Sequence, residues 1–146
     1  FTEETNPHLR ELFTLGQECS RDIIRSTYTQ DVLYLRVLYP ITGDGDHRCF
    51  VEKLKSRRAN IHDTKVTVSV LPSLLPKLPQ LLHQKVTGIL NFVNDDVISL
   101  PDLLRKENIE HTVSSEKTNR GTCCLDTTQL KKFIEVDSVI TLKKLA

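Results

Sequence analysis

The run Val32-Leu33-Tyr34-Leu35-Arg36-Val37-Leu38-Tyr39 is rich in β-branched and aromatic residues and stops at Pro40. Such a run reads as a strand, buried on both faces for part of its length. Thr42-Gly43-Asp44-Gly45-Asp46 follows with dense turn chemistry, and then a second apolar run, Arg48-Cys49-Phe50-Val51-Glu52-Lys53-Leu54. Two such runs around a short Gly/Asp turn predict an antiparallel hairpin over 32–54. Lys65-Val66-Thr67-Val68-Ser69-Val70 alternates polar and apolar residues, the pattern of a half-buried strand that joins the same sheet.

Helices are expected around that sheet. Asn6 can cap and Pro7 suits a first helical position. Leu9, Leu12, Phe13, Cys19 and Ile23 then form a stripe, which predicts a helix over 7–26. Pro72, Pro76 and Pro79 argue against regular helix across their stretch. Beyond Pro79, a helix carrying Leu82, Val86, Ile89, Leu90 and Val93 competes with a strand over 86–93, for which Gly88 speaks. Ser99-Leu100-Pro101-Asp102 is a helix start, with a capping hydroxyl and a carboxylate at the positive helix end, and the helix should reach Asn108. Short strands are expected at Ile109–Val113 and Thr122–Leu125, with a final helical turn through Phe133. The fold class is thus α+β: an antiparallel sheet including a hairpin, packed by an N-terminal helix and short C-terminal helices.

Twenty Lys+Arg against nineteen Asp+Glu leave a net charge of +1, and 38% of residues are hydrophobic. That balance excludes a disordered tail, and no apolar stretch is long enough for a membrane helix. The chain is expected to be a single globular domain over 1–146. It has no Met, begins at Phe1 and stops within an apolar pattern, so a fragment of a larger protein is expected. Four cysteines without metal-ligand spacing read as free, mostly buried thiols, and no Asn-x-Ser/Thr sequon is present. Both point to an intracellular, reducing location, cytoplasm or nucleus.

Chemistry-bearing motifs are missing: there is no G-x-S-x-G, G-x-G-x-x-G, P-loop or H-E-x-x-H. Asp44-Gly45-Asp46 lacks the further ligands of a calcium loop. Catalytic residues, metal and cofactor are therefore not expected. Two surfaces stand out. Lys53, Lys55, Arg57 and Arg58 with Lys65 form a basic cluster that could neutralise phosphates, with Lys53, Lys55 and Arg57 on one face if the segment is a strand. Leu74, Leu75 and Leu78, in the leucine/proline connector, could wall a groove for a partner.

The tail from Leu125-Asp126 to Leu145 loosely resembles the segment leaving the connector domain of MutS-type mismatch-repair proteins, which implies association with nucleic acid. The leading expectation is a non-catalytic scaffolding domain of a larger intracellular protein, its partner another protein or other domains of the parent chain. A nucleic-acid-associated domain acting through the basic cluster is the alternative, and a small-molecule or hydrolytic enzyme domain the third.

Overall fold

The computed structural model describes residues 1–4, 12–27, 31–116, 123–143 and 145. The proposed cap Asn6, Pro7 and Leu9 of the first helix, and Thr122, lie outside them.

Strand β1 (Leu33–Arg36) forms where the sequence places it, but its partner is not a hairpin neighbour. It pairs parallel with β5 (Gly88–Asn91), Leu33 opposite Gly88 and Arg36 opposite Asn91. The chain then turns at Tyr39, whose φ of 45° is left-handed, and Pro40 starts β2 (Pro40–Ile41). β2 runs parallel to β4 (Ser69–Val70). Only β3 (Lys65–Val66) has an antiparallel partner among the described strands, β6 (Ile98–Ser99). The expected antiparallel hairpin sheet is therefore wrong: most pairing is parallel, between segments far apart in sequence.

The hairpin fails at its second arm. Phe50–Lys55 is helix α2, not a strand. Val51 and Leu54, three apart, are buried together, while Glu52 and Lys55 pair at the same spacing on the wetter side. Tyr39 stacks on Phe50 with ring centroids 4.4 Å apart, so the turn returns a helix rather than a strand to β1–β2. The glycine turn itself is as read, with Gly43 and Gly45 both at φ 75°.

The segment 66–70 is buried throughout, not half-buried. Its polar members bond inward. Ser69 Oγ donates to the Phe92 carbonyl at 2.7 Å and accepts the Leu38 amide at 3.0 Å. Pro72, Pro76 and Pro79 do not forbid helix here. Each sits in the first turn of a short segment: α3 (Leu71–Leu74), a 3₁₀ turn (Leu75–Lys77) and α4 (Leu78–His83). Beyond α4 the strand reading wins. Ser99 Oγ accepts the Asp102 amide at 3.2 Å and opens α5 (Leu100–Lys106), which stops just short of the expected Asn108.

Helix α1 (Leu12–Thr27) precedes β1. One core gathers Ile41, Val51, Leu54, Val66, Val68 and Leu104; a second gathers Leu74, Leu81, Leu90, Phe92 and Leu130. No described helix is long and apolar enough to cross a membrane.

Candidate functional site

Open α/β sheets receive ligands outside the carboxyl ends of their parallel strands. In this chain β1 ends at Arg36 and β5 at Asn91, register partners, and other segments converge there. The Asn91 amide N–H donates to Glu3 Oε1 at 3.0 Å. Its side-chain Nδ2 donates to the carbonyls of Phe1 at 3.2 Å and Asp126 at 3.0 Å. Arg36 donates to the Thr2 carbonyl at 3.3 Å. Leu125 N donates to Thr67 Oγ1 at 3.0 Å and Thr67 N to the Cys123 carbonyl at 3.2 Å, which brings Lys65 alongside Cys124.

The result is a strip made of Lys65, Thr67, the Cys123–Asp126 segment, Glu3, Arg36 and Asn91. It offers an ammonium and a guanidinium for an anion and a carboxylate for a hydroxylated ligand, while the buried Thr67 hydroxyl holds the Leu125 amide. Asn91 is 0% exposed, and its Oδ1 has no partner among the described residues. Burial, with the neighbouring Cys124, pushes the Cys123 thiol up from its ordinary value, which keeps it protonated and unsuited to attack.

Behind the strip lies a buried polar knot. Asn94 Oδ1 accepts the Val70 amide at 2.8 Å, and its Nδ2 donates to Ser73 Oγ and the Asp137 carbonyl, each at 3.1 Å. Asp95 accepts from Thr127 at 2.9 Å and pairs with Lys131 at 2.7 Å. Neither Asn91 nor Asn94 was singled out from sequence as a site residue. The signal was available: an amide inside the apolar run Leu90–Val93 and another directly after it must be bonded if buried.

The expected site residues are dispersed. Lys53 and Lys55 belong to α2 and Lys55 is tied to Glu52, so the strand alternation invoked for them does not exist. Arg57 and Arg58 follow on the exposed turn, and Arg58 with Arg105, Glu110 and His111 lines an open cleft that shares no residue with the strip. Lys65 alone of the five stands on it, exposed. Leu74 is fully buried, Leu78 packs partly against the second core, and Leu75 is 50% exposed. The four cysteines are unpaired; Cys49 is buried, Cys123 and Cys124 are half-buried and Cys19 is exposed.

A dinucleotide cradle needs a glycine-rich turn between a strand and the start of a helix. Here β1 runs into Val37-Leu38-Tyr39-Pro40 and β5 into Phe92-Val93-Asn94-Asp95, neither followed by such a turn. The described residues do not fit the pyrophosphate of a nicotinamide cofactor.

No protein-family model matches the sequence. The chain is 25% identical over 155 residues to the L780 protein of Acanthamoeba polyphaga mimivirus, covering 97% of this chain and 53% of that protein. It is 30% identical over 105 residues to the bifunctional dTDP-4-dehydrorhamnose 3,5-epimerase/dTDP-4-dehydrorhamnose reductase of Arabidopsis thaliana, covering 71% of this chain and 34% of that one. The crystal structure of the L780 UDP-rhamnose synthase superposes with a TM-score of 0.79 at 23% identity, over 97% of this chain and 54% of that one. The dTDP-4-dehydrorhamnose reductase of Bacillus anthracis, solved with NADP, gives 0.70 at 15% identity, over 94% and 55%. The chain thus spans about half the length of the solved structures it resembles.

These likenesses establish a Rossmann-like, mostly parallel α/β fold in place of the expected α+β antiparallel one. They also overturn the scaffolding and the DNA-binding, nuclear readings, and with them the expectation of a non-enzyme: the relatives are a synthase and reductases of rhamnose chemistry. Neither they nor the parallel pairing supports the resemblance of the tail to a mismatch-repair connector.

Proposed function

We propose that this chain forms the nucleotide-sugar-binding half of an enzyme of rhamnose synthesis. The observation that carries the reading is the strip at the carboxyl ends of β1 and β5, where Lys65, Arg36, Glu3 and Thr67 surround a buried amide. A nucleotide-linked sugar needs cations for its diphosphate and carboxylate or hydroxyl partners for its ring hydroxyls, and the strip carries both. Lys65 contacts the diphosphate and Glu3 faces the sugar, with Thr67 beneath them holding the Leu125 backbone. Asn91 is a positioning residue that fixes the Phe1–Glu3 and Cys124–Asp126 backbones against the strand ends. The relatives of similar fold act on, or are named for, UDP- and dTDP-linked deoxysugars, which sets the ligand class. The unpaired thiols suit an intracellular compartment.

The test is titration of the isotope-labelled chain with UDP-rhamnose and with dTDP. Amide shifts at Lys65, Thr67, Cys124 and Asn91, weakened roughly tenfold by Lys65→Glu, a loss of about 1.4 kcal/mol, support the reading. An absence of binding up to about 1 mM, or shifts confined to the Arg58–His111 cleft, overturns it.

A further inference from the structure

Past the end of α5 a second cleft opens between the turn that follows α2 and the segment 108–112. Its volume is about 790 Å³, and Arg58, Arg105, Asn108, Glu110, His111 and Thr112 contribute to its lining. Small-molecule sites run from roughly 300 to 1,000 Å³. Backbone bonds hold the two walls together. Thr112 N donates to the Arg58 carbonyl at 2.8 Å, and Ile61 N donates to the Thr112 carbonyl at 2.9 Å. Asn108, at φ 57°, closes α5 in the left-handed conformation, and Ile109 N returns to the Leu104 carbonyl at 2.9 Å. The side chains that line the cleft are therefore not needed to hold its walls.

The charged groups at this end of α5 fall into two sets. Lys106 Nζ donates to the Ile140 carbonyl and Glu107 Oε1 accepts the Leu145 amide, each at 2.8 Å, so both are engaged elsewhere. Arg105 lines the cleft and pairs with Asp102 at 2.9 Å. The two side chains are 65% and 56% exposed, so the pair is weak and an anion can compete for the guanidinium. Arg58 stands exposed on the opposite wall. His111 Nδ1 lies 2.9 Å from the Ile109 carbonyl. A carbonyl only accepts, so Nδ1 carries the hydrogen and Nε2 is the ring nitrogen left for a ligand.

Two guanidiniums and a histidine match the three terminal oxygens of a phosphomonoester, because arginine forks bind such oxygens in pairs. Inorganic phosphate would fill a small part of the cleft and set an anion against Glu110. A ligand that also carries hydroxyls gives the Glu110 carboxylate and the Asn108 amide groups to bond. We infer that the cleft binds a phosphomonoester of a hydroxylated small molecule, a sugar phosphate or a nucleoside monophosphate. The inference does not rest on the nucleotide-sugar reading, whose ligand has no terminal phosphate. The two sites also lie apart: Lys65 pairs with Ser99, the cap that opens α5, and the cleft lies past the last turn of that helix.

The test titrates the isotope-labelled chain with glucose 1-phosphate and with UMP, at about pH 7.5 where a phosphomonoester is close to a dianion. Inorganic phosphate and a phosphoserine peptide are run beside them. Amide shifts at Arg58 and Asn108–Thr112 should saturate at least about tenfold more tightly for one of the two esters than for inorganic phosphate. The tighter ester identifies the source. Arg58→Gln and Arg105→Gln should each weaken that binding at least about fivefold, with urea midpoints unchanged because both side chains are exposed. Glu110→Gln should narrow the margin over inorganic phosphate, whereas a purely electrostatic role would strengthen all anions alike. Lys65→Glu, which disables the strip, should leave the cleft shifts as they are. No cleft shifts up to about 10 mM ester overturn the inference, as does affinity no better than that of inorganic phosphate. Unchanged affinity in both arginine variants overturns it too. Tighter binding of the phosphoserine peptide than of either ester also does so, and assigns the cleft to a macromolecular partner. Failure of UDP-rhamnose to bind the strip leaves these results standing, so the two readings fail separately.

Discussion

The carboxamide of Asn94 accepts the Val70 amide through Oδ1 at 2.8 Å and so bridges the chain leaving β5 to the end of β4. Asn94 and Val70 are 0% and 2% exposed, and Nδ2 also holds Ser73 and the Asp137 carbonyl. Truncation to Ala strands a buried N–H and a carbonyl together. Asn94→Ala should therefore lower unfolding free energy by about 2–3 kcal/mol in urea titrations. Asn94→Asp should cost at least as much at neutral pH, because a carboxylate would face the Asp137 carbonyl.

Asn91 plays the equivalent part at the strip. Replacing it by Leu removes the donors to Phe1 and Asp126 but keeps the bulk. The expected stability loss is about 1–2 kcal/mol. Beyond that, titration of the labelled Asn91→Leu chain should show weaker UDP-rhamnose binding with retained fold. A variant that is destabilised yet binds normally would reduce Asn91 to a purely structural role.

The parts of the fold that could be read from sequence are those whose physics is local. The Gly43/Gly45 turn, the β1 strand and the Ser99–Asp102 cap depend on neighbours a few residues away, and all three are present. What escaped is non-local. Nothing near Leu33 announces Gly88 as its partner, and a Gly/Asp turn suits a strand-to-helix return as well as a hairpin. Phe50–Lys55 carried its helical signal in the Val51/Leu54 and Glu52/Lys55 spacings, but the β-branched and aromatic content outweighed it in the reading. At the site, Lys65 was visible as a charge. Its neighbours Glu3, Arg36 and Asn91 are brought to it only by tertiary pairing.

The cap at α5 gives a compact check on the local physics. Ser99→Ala removes the oxygen that accepts the Asp102 amide. The expected cost is about 1 kcal/mol, seen as a shift in the urea midpoint with unchanged slope. Ser99→Asp should recover most of it, since a carboxylate both caps and complements the helix dipole.

Acid stability follows from two carboxylates. The Ser73 hydroxyl and then Lys77 hold the Asp137 carboxyl below its ordinary value near 3.8, against a burial that raises it. Lys131 does the same for Asp95, helped by Thr127. A carboxyl whose folded pKa is depressed contributes stability that is complete above the unfolded value and disappears as pH falls through the folded one. Urea midpoints should therefore stay level with respect to these two groups above about pH 5 and decline below about pH 4. Asp137→Asn keeps the Ser73 contact as an amide acceptor but has no charge to lose. Its stability at pH 7 should drop, while its decline between pH 4 and 2 becomes shallower than that of the parent. Parallel acid profiles for parent and variant would show that Asp137 takes no part in the acid transition. Thr127→Val should act the same way on Asp95, moving its folded carboxyl back toward the ordinary value, so that the acid decline contributed by this group becomes shallower and ends at a higher pH.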